Sequence, residues 1–313
     1  MGVAVGSRAT WLSLGEGSTP LVPARRLSEQ LGLQLHLKLE MLNPTGSFKD
    51  RGMAVAVERA ADRGARAVVC ASTGNTAASA ATYAARAGLK AVVLTPVGAT
   101  ADAKRAQALA AGAQVIEIRG SFDDALRLCQ ELAEEDGYAL VNSLNPDRID
   151  GQKTVVAEIV ERLGEVPDVI ALPYGGGGNS TAVGAGCAEA GLRSALVGGQ
   201  AAERRTTFAS AIRIGEPAHI ESIDALVADG RLDVVTLTEE ELRAMWQRLS
   251  REEGVFCEPA SAAGVAALAK SGVRDRVAVA IVTGHGLKDT GAIDVGAAPV
   301  VDATIDAILA ELA

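Results

Sequence analysis

The feature that most constrains this chain is an alternation: short apolar runs recur, each followed by Gly or Ser and then by an Ala-rich, helix-like segment. The runs fall at 66–71, 90–95, 114–118, 168–172, 195–197 and 276–282. They lack strict period-two alternation, so both faces of each strand are apolar and helices must cover both sides of the sheet. The reading is an α/β fold of βα units, with mainly parallel twisted sheets. A TIM barrel would need eight even units, and the spacing here is irregular. Between about 53 and 144 the units are short and regular, with helices expected at 76–86, 101–111 and 122–136. We expect residues 53–144 to form a small α/β domain, and 1–52 plus 145–313 a larger one. No linker, charge run or repeat marks the boundary.

Composition narrows the classes of function. A chain of 313 residues can bury two cores of ordinary size, and its apolar residues are mostly Ala, Val and Leu, with only 3% aromatics. Acidic residues outnumber basic ones, 39 to 30, for a net charge of -9. That field repels phosphodiester backbones, so nucleic acid is not expected as a partner, although a local site can hold a small anion. Cys70, Cys129, Cys187 and Cys257 are widely separated, with no CxxC pair and no nearby His. They read as core or half-buried thiols in a reducing compartment, and no metal site is expected. No stretch has the length of a signal sequence or a membrane span, and the expected location is cytoplasmic.

Four segments place Gly and small polar residues where an apolar run ends or a helix begins, the edge at which open α/β sheets bind ligands. In 43–52 (NPTGSFKDRG), Pro44 and Gly46 force a turn, Ser47 can cap the next helix, and Lys49 falls in its first turn. The positive helix terminus disfavours an ammonium there, which suits an imine-forming amine; a capped helix with a solvated lysine is the plainer alternative. In 71–77 (ASTGNTA), Ser72, Thr73 and Thr76 with free helix-start N–H groups can seat a carboxylate, and Asn75 adds a donor. A simple strand-to-helix turn would look the same. In 173–181 (PYGGGGNST), Gly175, Gly176, Gly177 and Gly178 before Asn179 let backbone N–H groups converge on one phosphate. Neither the dinucleotide fingerprint nor the P-loop fits, the latter failing at 151–154 (GQKT). In 282–289 (VTGHGLKD), Thr283 presents a hydroxyl at the ligand edge. His285 reads as a turn histidine held by backbone contacts rather than as a catalyst, and His36 and His219 attract no role.

Taken together, these segments resemble the fold type II pyridoxal-phosphate enzymes, and within them the threonine synthase family. The likeness runs through 43–52, 71–79 (ASTGNTAAS), 141–153 (VNSLNPDRIDGQK), 211–218 (AIRIGEPA), 253–263 (EGVFCEPASAA) and 283–289 (TGHGLKD), most of the chain. The resemblance implies pyridoxal 5'-phosphate as cofactor, held in the larger domain, and a homodimer of a lyase. It makes Lys49 the Schiff-base lysine, Asn75 the partner of the cofactor's phenolic oxygen, and Gly175 to Asn179 the cradle of its phosphate. Thr283 would meet the pyridine nitrogen; a neutral hydroxyl leaves the ring a weaker electron sink, which favours elimination and replacement over transamination. Asn142, Ser143, Arg148, Thr76 and Asn179 would take the phosphate of O-phospho-L-homoserine, with Ser72 and Thr73 nearer its carboxylate. The implied reaction expels phosphate from Cγ and adds water at Cβ, giving threonine. A dehydratase or a β-replacement enzyme of the same fold is the alternative, and Arg148 separates them, since a dehydratase substrate has no phosphate to neutralise. A non-catalytic anion-binding module would leave Lys49 unexplained. The chain departs from the family pattern at Gly176 and Gly177, where Asn and Ala are usual, at Tyr174, and in a short 200–207 stretch.

Overall fold

The computed structural model describes residues 11–98 and 102–312. The strands are β1 (Leu21–Pro23), β2 (Gln34–Lys38), β3 (Ala67–Ala71), β4 (Lys90–Pro96), β5 (Gln114–Ile118), β6 (Tyr138–Leu140), β7 (Val169–Pro173), β8 (Ala195–Ala201), β9 (Leu232–Leu237) and β10 (Val277–Ile281). The helices are α1 (Arg25–Leu31), α2 (Lys49–Asp62), α3 (Asn75–Ala87), α4 (Asp102–Ala110), α5 (Phe122–Ala133), α6 (Pro146–Gln152), α7 (Val155–Leu163), α8 (Gly178–Glu189), α9 (Ile220–Ala228), α10 (Glu239–Glu253), α11 (Ala262–Ser271) and α12 (Ile305–Leu312). One sheet has the order β1-β2-β10-β7-β8-β9, the other β5-β4-β3-β6. Every pairing is parallel except β1 with β2.

Each apolar run expected to be a strand is one. Strands β1, β6 and β9 went unread because they are short or lie at a sheet edge with one face wet, as in the Leu232–Leu237 pattern of buried ends and half-exposed middle. Helix α5 ends at Ala133, short of 136, and residue 101 of the expected 101–111 helix lies outside the described residues.

The central strands are buried on both faces, as their composition requires. In β10, Ala278 and Ala280 face a core shared with α1, α10 and α11, while Val279 and Ile281 face one shared with α7, α8 and α9. The small sheet packs Val68 and Cys70 against α2 and α3, and Val69 and Ala71 against α5. All four cysteines are free and buried. Small residues let backbones touch: a Cβ on Gly199 would sit 2.1 Å from the carbonyl oxygen of Ala263 in α11, and one on Gly151 of α6 would sit 2.1 Å from that of Arg51 in α2. At the opposite end of the strands the helices close on left-handed glycines, such as Gly88 before β4 and Gly164 before β7, with open space where a side chain would be.

Candidate active site

Because β2, β10 and β7 are parallel neighbours, the loops that follow them leave the large sheet at one edge. The loop after β2 leads to Lys49, the first residue of α2, and is sewn to the segment after β10. Phe48 N–H donates to the Thr283 carbonyl at 3.0 Å, and His285 N–H donates to that of Gly46 at 3.0 Å. Inside the loop the buried Asp50 carboxylate accepts from Thr45 N–H (2.7 Å), Thr45 Oγ1 (2.6 Å) and Ser79 Oγ (2.6 Å). Burial raises the Asp50 pKa against those bonds. No side chain caps α2, contrary to the expectation for Ser47, whose buried hydroxyl has no partner among the described residues.

Lys49 is half-buried, with Nζ 4.4 Å from the centre of the Phe48 ring. Burial, reinforced by the Arg148 charge and opposed by Glu258, lowers its pKa to about 7. Thr283 places Oγ1 3.1 Å from Ser261 Oγ, which in turn accepts from Gly284 N–H at 2.9 Å. His285 uses Nδ1 to accept from Leu287 N–H, the structural role expected of it.

The third loop is the glycine cup after β7. Gly177 has φ +86° and caps α8, and a Cβ there would meet His219 Cβ and Ile223 Cγ1 at 3.0 Å. The first N–H groups of α8 have no helical acceptor. Asn179 Nδ2, Ser180 Oγ and Thr181 Oγ1 are buried without partners among the described residues.

The small sheet supplies the facing wall from the ends of β3 and β6, again parallel neighbours. Ser72 Oγ accepts from Gly74 and Ala77 N–H groups at 3.1 Å each and so closes the turn into α3. Thr73 and Thr76 beside it are half-buried. Asn75 donates Nδ2 to Glu258 Oε2 at 2.8 Å and lies 3.1 Å from Oε1. Asn142 clasps the Ala71 backbone, Nδ2 to O at 2.8 Å and N to Oδ1 at 2.9 Å. Its carbonyl side is thus occupied, and Nδ2 keeps one hydrogen for a ligand. Arg148, on α6, is fully buried and donates Nη1 to the Val141 carbonyl at 2.9 Å. Its Nε and Nη2 have no partner among the described residues, and burial lowers its pKa to about 10.

His219 was passed over in the sequence, yet it joins the two walls. Its backbone N–H donates to the Gly176 carbonyl at 3.1 Å, and its Nε2 lies 2.8 Å from the Ser143 carbonyl. A carbonyl only accepts, so Nε2 carries the hydrogen. Burial lowers the His219 pKa against that bond, with Lys49 and Arg148 adding to the effect.

The family described as pyridoxal-phosphate dependent enzyme matches residues 12–284. The chain belongs to the pyridoxal-phosphate-dependent enzyme family. It is 45% identical to a threonine synthase of Halalkalibacterium halodurans over 89% of this chain and 84% of that protein. It is 47% identical to a threonine synthase of Mycobacterium tuberculosis over 91% and 86% respectively. Among solved structures, the diaminopropionate ammonia lyase of Escherichia coli superposes with a TM-score of 0.78 over 90% of this chain and 88% of that one, at 19% identity, a likeness of fold.

The residues fit the cofactor that defines this pyridoxal-phosphate-dependent family. A phosphate needs several donors and no side-chain obstruction, and the cup has buried unpartnered donors where Cβ atoms would crowd His219 and Ile212. An attachment lysine must lose its proton near neutrality, and Lys49 does so at about 7. Sequence reasoning missed Glu258, Ser261 and His219, and also Lys104 on α4, whose Nζ lies 3.0 Å from Glu258 Oε1. Glu258 and Ser261 lie in the EPAS stretch that carried the resemblance, so a signal existed; for Lys104 and His219 none did. No group of three or more His, Cys, Asp or Glu among the described residues is arranged to hold a metal. No helix there is long and apolar enough to cross a membrane.

Proposed function

We propose that this chain is a threonine synthase, converting O-phospho-L-homoserine and water to L-threonine and phosphate. The observation that carries the reading is Arg148: a fully buried guanidinium that forms no ion pair among the described residues and leaves two nitrogens unpartnered. An unpaired buried charge is costly, so the position makes sense if an anion completes it. A phosphate monoester suits it, because the guanidinium fork matches phosphate oxygens. The threonine synthases at 45–47% identity support the same reading.

Pyridoxal phosphate, when bound, supplies the electron sink for the pair released at Cα. Lys49 would hold it and, once free, move protons at Cα and Cβ, a task suited to an amine with pKa near 7. Asn75 would donate to the phenolic oxygen, Gly175, Gly176, Gly177, Gly178 and Asn179 would hold the cofactor phosphate, and Thr283 would face the ring nitrogen. Arg148 with Asn142, Ser143, Thr76 and Asn179 would hold the substrate phosphate and stabilise its departure from Cγ. Ser72 and Thr73 would orient the carboxylate; the Ser72 oxygen already accepts two N–H bonds, so its hydroxyl hydrogen is the group left for a ligand. The water oxygen ends on Cβ and a proton on Cγ, which becomes the methyl group.

We also infer a cytoplasmic homodimer, on the free buried cysteines and the general frequency of two-fold assemblies. The division into 1–52 plus 145–313 and 53–144 is proposed because the strands of the two sheets sort that way. An assay of the purified protein on O-phosphohomoserine, threonine and serine side by side tests the function. Phosphate release with threonine formation is expected, and turnover of the unphosphorylated amino acids alone would defeat it.

A further inference from the structure

Glu258 lies beside Asn75 and is 1% exposed. Its backbone is pinned, with N–H donating to the Gly284 carbonyl at 2.9 Å and its own carbonyl accepting from Ser261 N–H at 2.9 Å. The carboxylate sits so close to Gly284 that a Cβ there would lie 2.0 Å from Oε2. Its counter-ion is Lys104, 2% exposed, whose Nζ lies 3.0 Å from Glu258 Oε1, 3.2 Å from Ser210 Oγ and 3.7 Å from Asp289 Oδ2. Lys104 stands on α4, against the small sheet, whereas Glu258, Ser210 and Asp289 lie in segments that follow β8 and later strands.

We propose that Glu258 is a positioning residue for the cofactor ring: it fixes which way the Asn75 amide faces and, through Lys104, ties that orientation to the seating of α4. The proposal rests on the reading of Asn75 as the partner of the cofactor's phenolic oxygen.

An ion-paired carboxylate only accepts hydrogen bonds. With Glu258 oxygens at 2.8 and 3.1 Å, the Asn75 amide must present Nδ2; reversed, Oδ1 would confront a second acceptor. Oδ1 is accordingly turned away, buried and without a partner among the described residues. One N–H of Nδ2 serves Glu258 and the other remains for an acceptor such as a phenolate. Lys104 compensates that charge in direct contact, while Lys49 and Lys288 act on it at longer range; a buried carboxylate stripped of its contact cation is strongly unfavourable. Shifting α4 away would therefore loosen the hold on the amide.

The test is titration of the cofactor-free protein with pyridoxal 5'-phosphate, reading affinity and the pH dependence of the bound-cofactor absorption band. Glu258→Gln should weaken cofactor binding roughly ten- to a hundredfold, as for one charge-assisted hydrogen bond, and displace the band's pH midpoint. Glu258→Asp, which keeps the charge but withdraws it from Asn75, should displace the midpoint in a folded protein even if the Gln variant folds poorly. Lys104→Met should displace it too, and adding Glu258→Gln to Lys104→Met should restore thermal stability but not the band. A purely structural role would lower stability in every variant and leave the band in place, which would overturn the proposal. Asn75→Ala separates the failures. If it moves the band and neither Glu258 variant does, the Asn75 reading stands and the proposal falls; if it moves nothing, both fall.

Discussion

A lysine that opens a helix and is packed among protein atoms behaves differently from a surface lysine, and Lys49 makes the difference measurable. With its pKa near 7, the fraction of neutral amine rises about tenfold per pH unit below that value and levels off above it. The rate at which the cofactor-free protein takes up pyridoxal phosphate should follow the same curve. Borohydride should then fix the cofactor in the peptide carrying Lys49, not in those carrying Lys38, Lys153 or Lys288. Arg148 tests the substrate side. Charge-assisted hydrogen bonds contribute roughly 1.5–3 kcal/mol each, so Arg148→Ala should lower kcat/KM for O-phosphohomoserine by about ten- to a few-hundredfold. Side activity on threonine or serine should change far less. Equal losses on all substrates would mean that Arg148 only braces α6. Lys49 was readable as a candidate because Pro44 and Gly46 announced the turn before its helix, whereas Arg148 was reached only through the resemblance carried by 141–153. His219 was not readable. Its role comes from Gly176 and Ser143, distant in sequence, and nothing in its own neighbourhood distinguishes it.

At the scale of elements, the crossing of α2 and α6 sets the distance between Lys49 and Arg148. Gly52 and Gly151 allow it: a Cβ on Gly52 would lie 2.5 Å from the Arg148 carbonyl oxygen, and one on Gly151 2.1 Å from that of Arg51. Gly151→Ala should destabilise the protein by about 1–3 kcal/mol, as overpacking does, and raise KM as the two helices part. Urea unfolding and steady-state kinetics check the two effects. The strands that frame the site were legible because parallel strands covered on both faces are continuously apolar. Edge strand β9 hid its polar face in Asp233 and Thr236, and β6 has only three residues. The α4 connection of Lys104 to Glu258 was invisible for another reason: a lysine in a helix usually faces water, and only the tertiary fold turns this one inward.

For the molecule as a whole, a second buried ion network joins β2, α2 and α7. Arg51 donates to Glu40 and Glu158, and Lys38 donates to Glu158. Burial pushes the Glu158 carboxyl up, but Arg51 and Lys38 more than offset it and hold the pKa at about 2. A carboxylate depressed on folding contributes stability that is complete above its ordinary value of 4.5 and is lost as pH falls toward 2. Denaturant midpoints should therefore drop across that window, and Glu158→Gln should flatten the drop while lowering stability at neutral pH. A slope unchanged in the variant would assign acid sensitivity to other carboxyls.

The two ends of the strands differ in what they tolerate. The candidate ligand contacts gather where the strands end, while the left-handed glycines before β4 and β7 close turns that look onto empty space. That rear edge is where the chain can be cut, permuted or extended. A fluorophore, affinity tag or inserted domain grafted beside Gly88 or Gly164 has room to stand without reaching the chemistry, so these turns offer handles for watching the two sheets move during turnover.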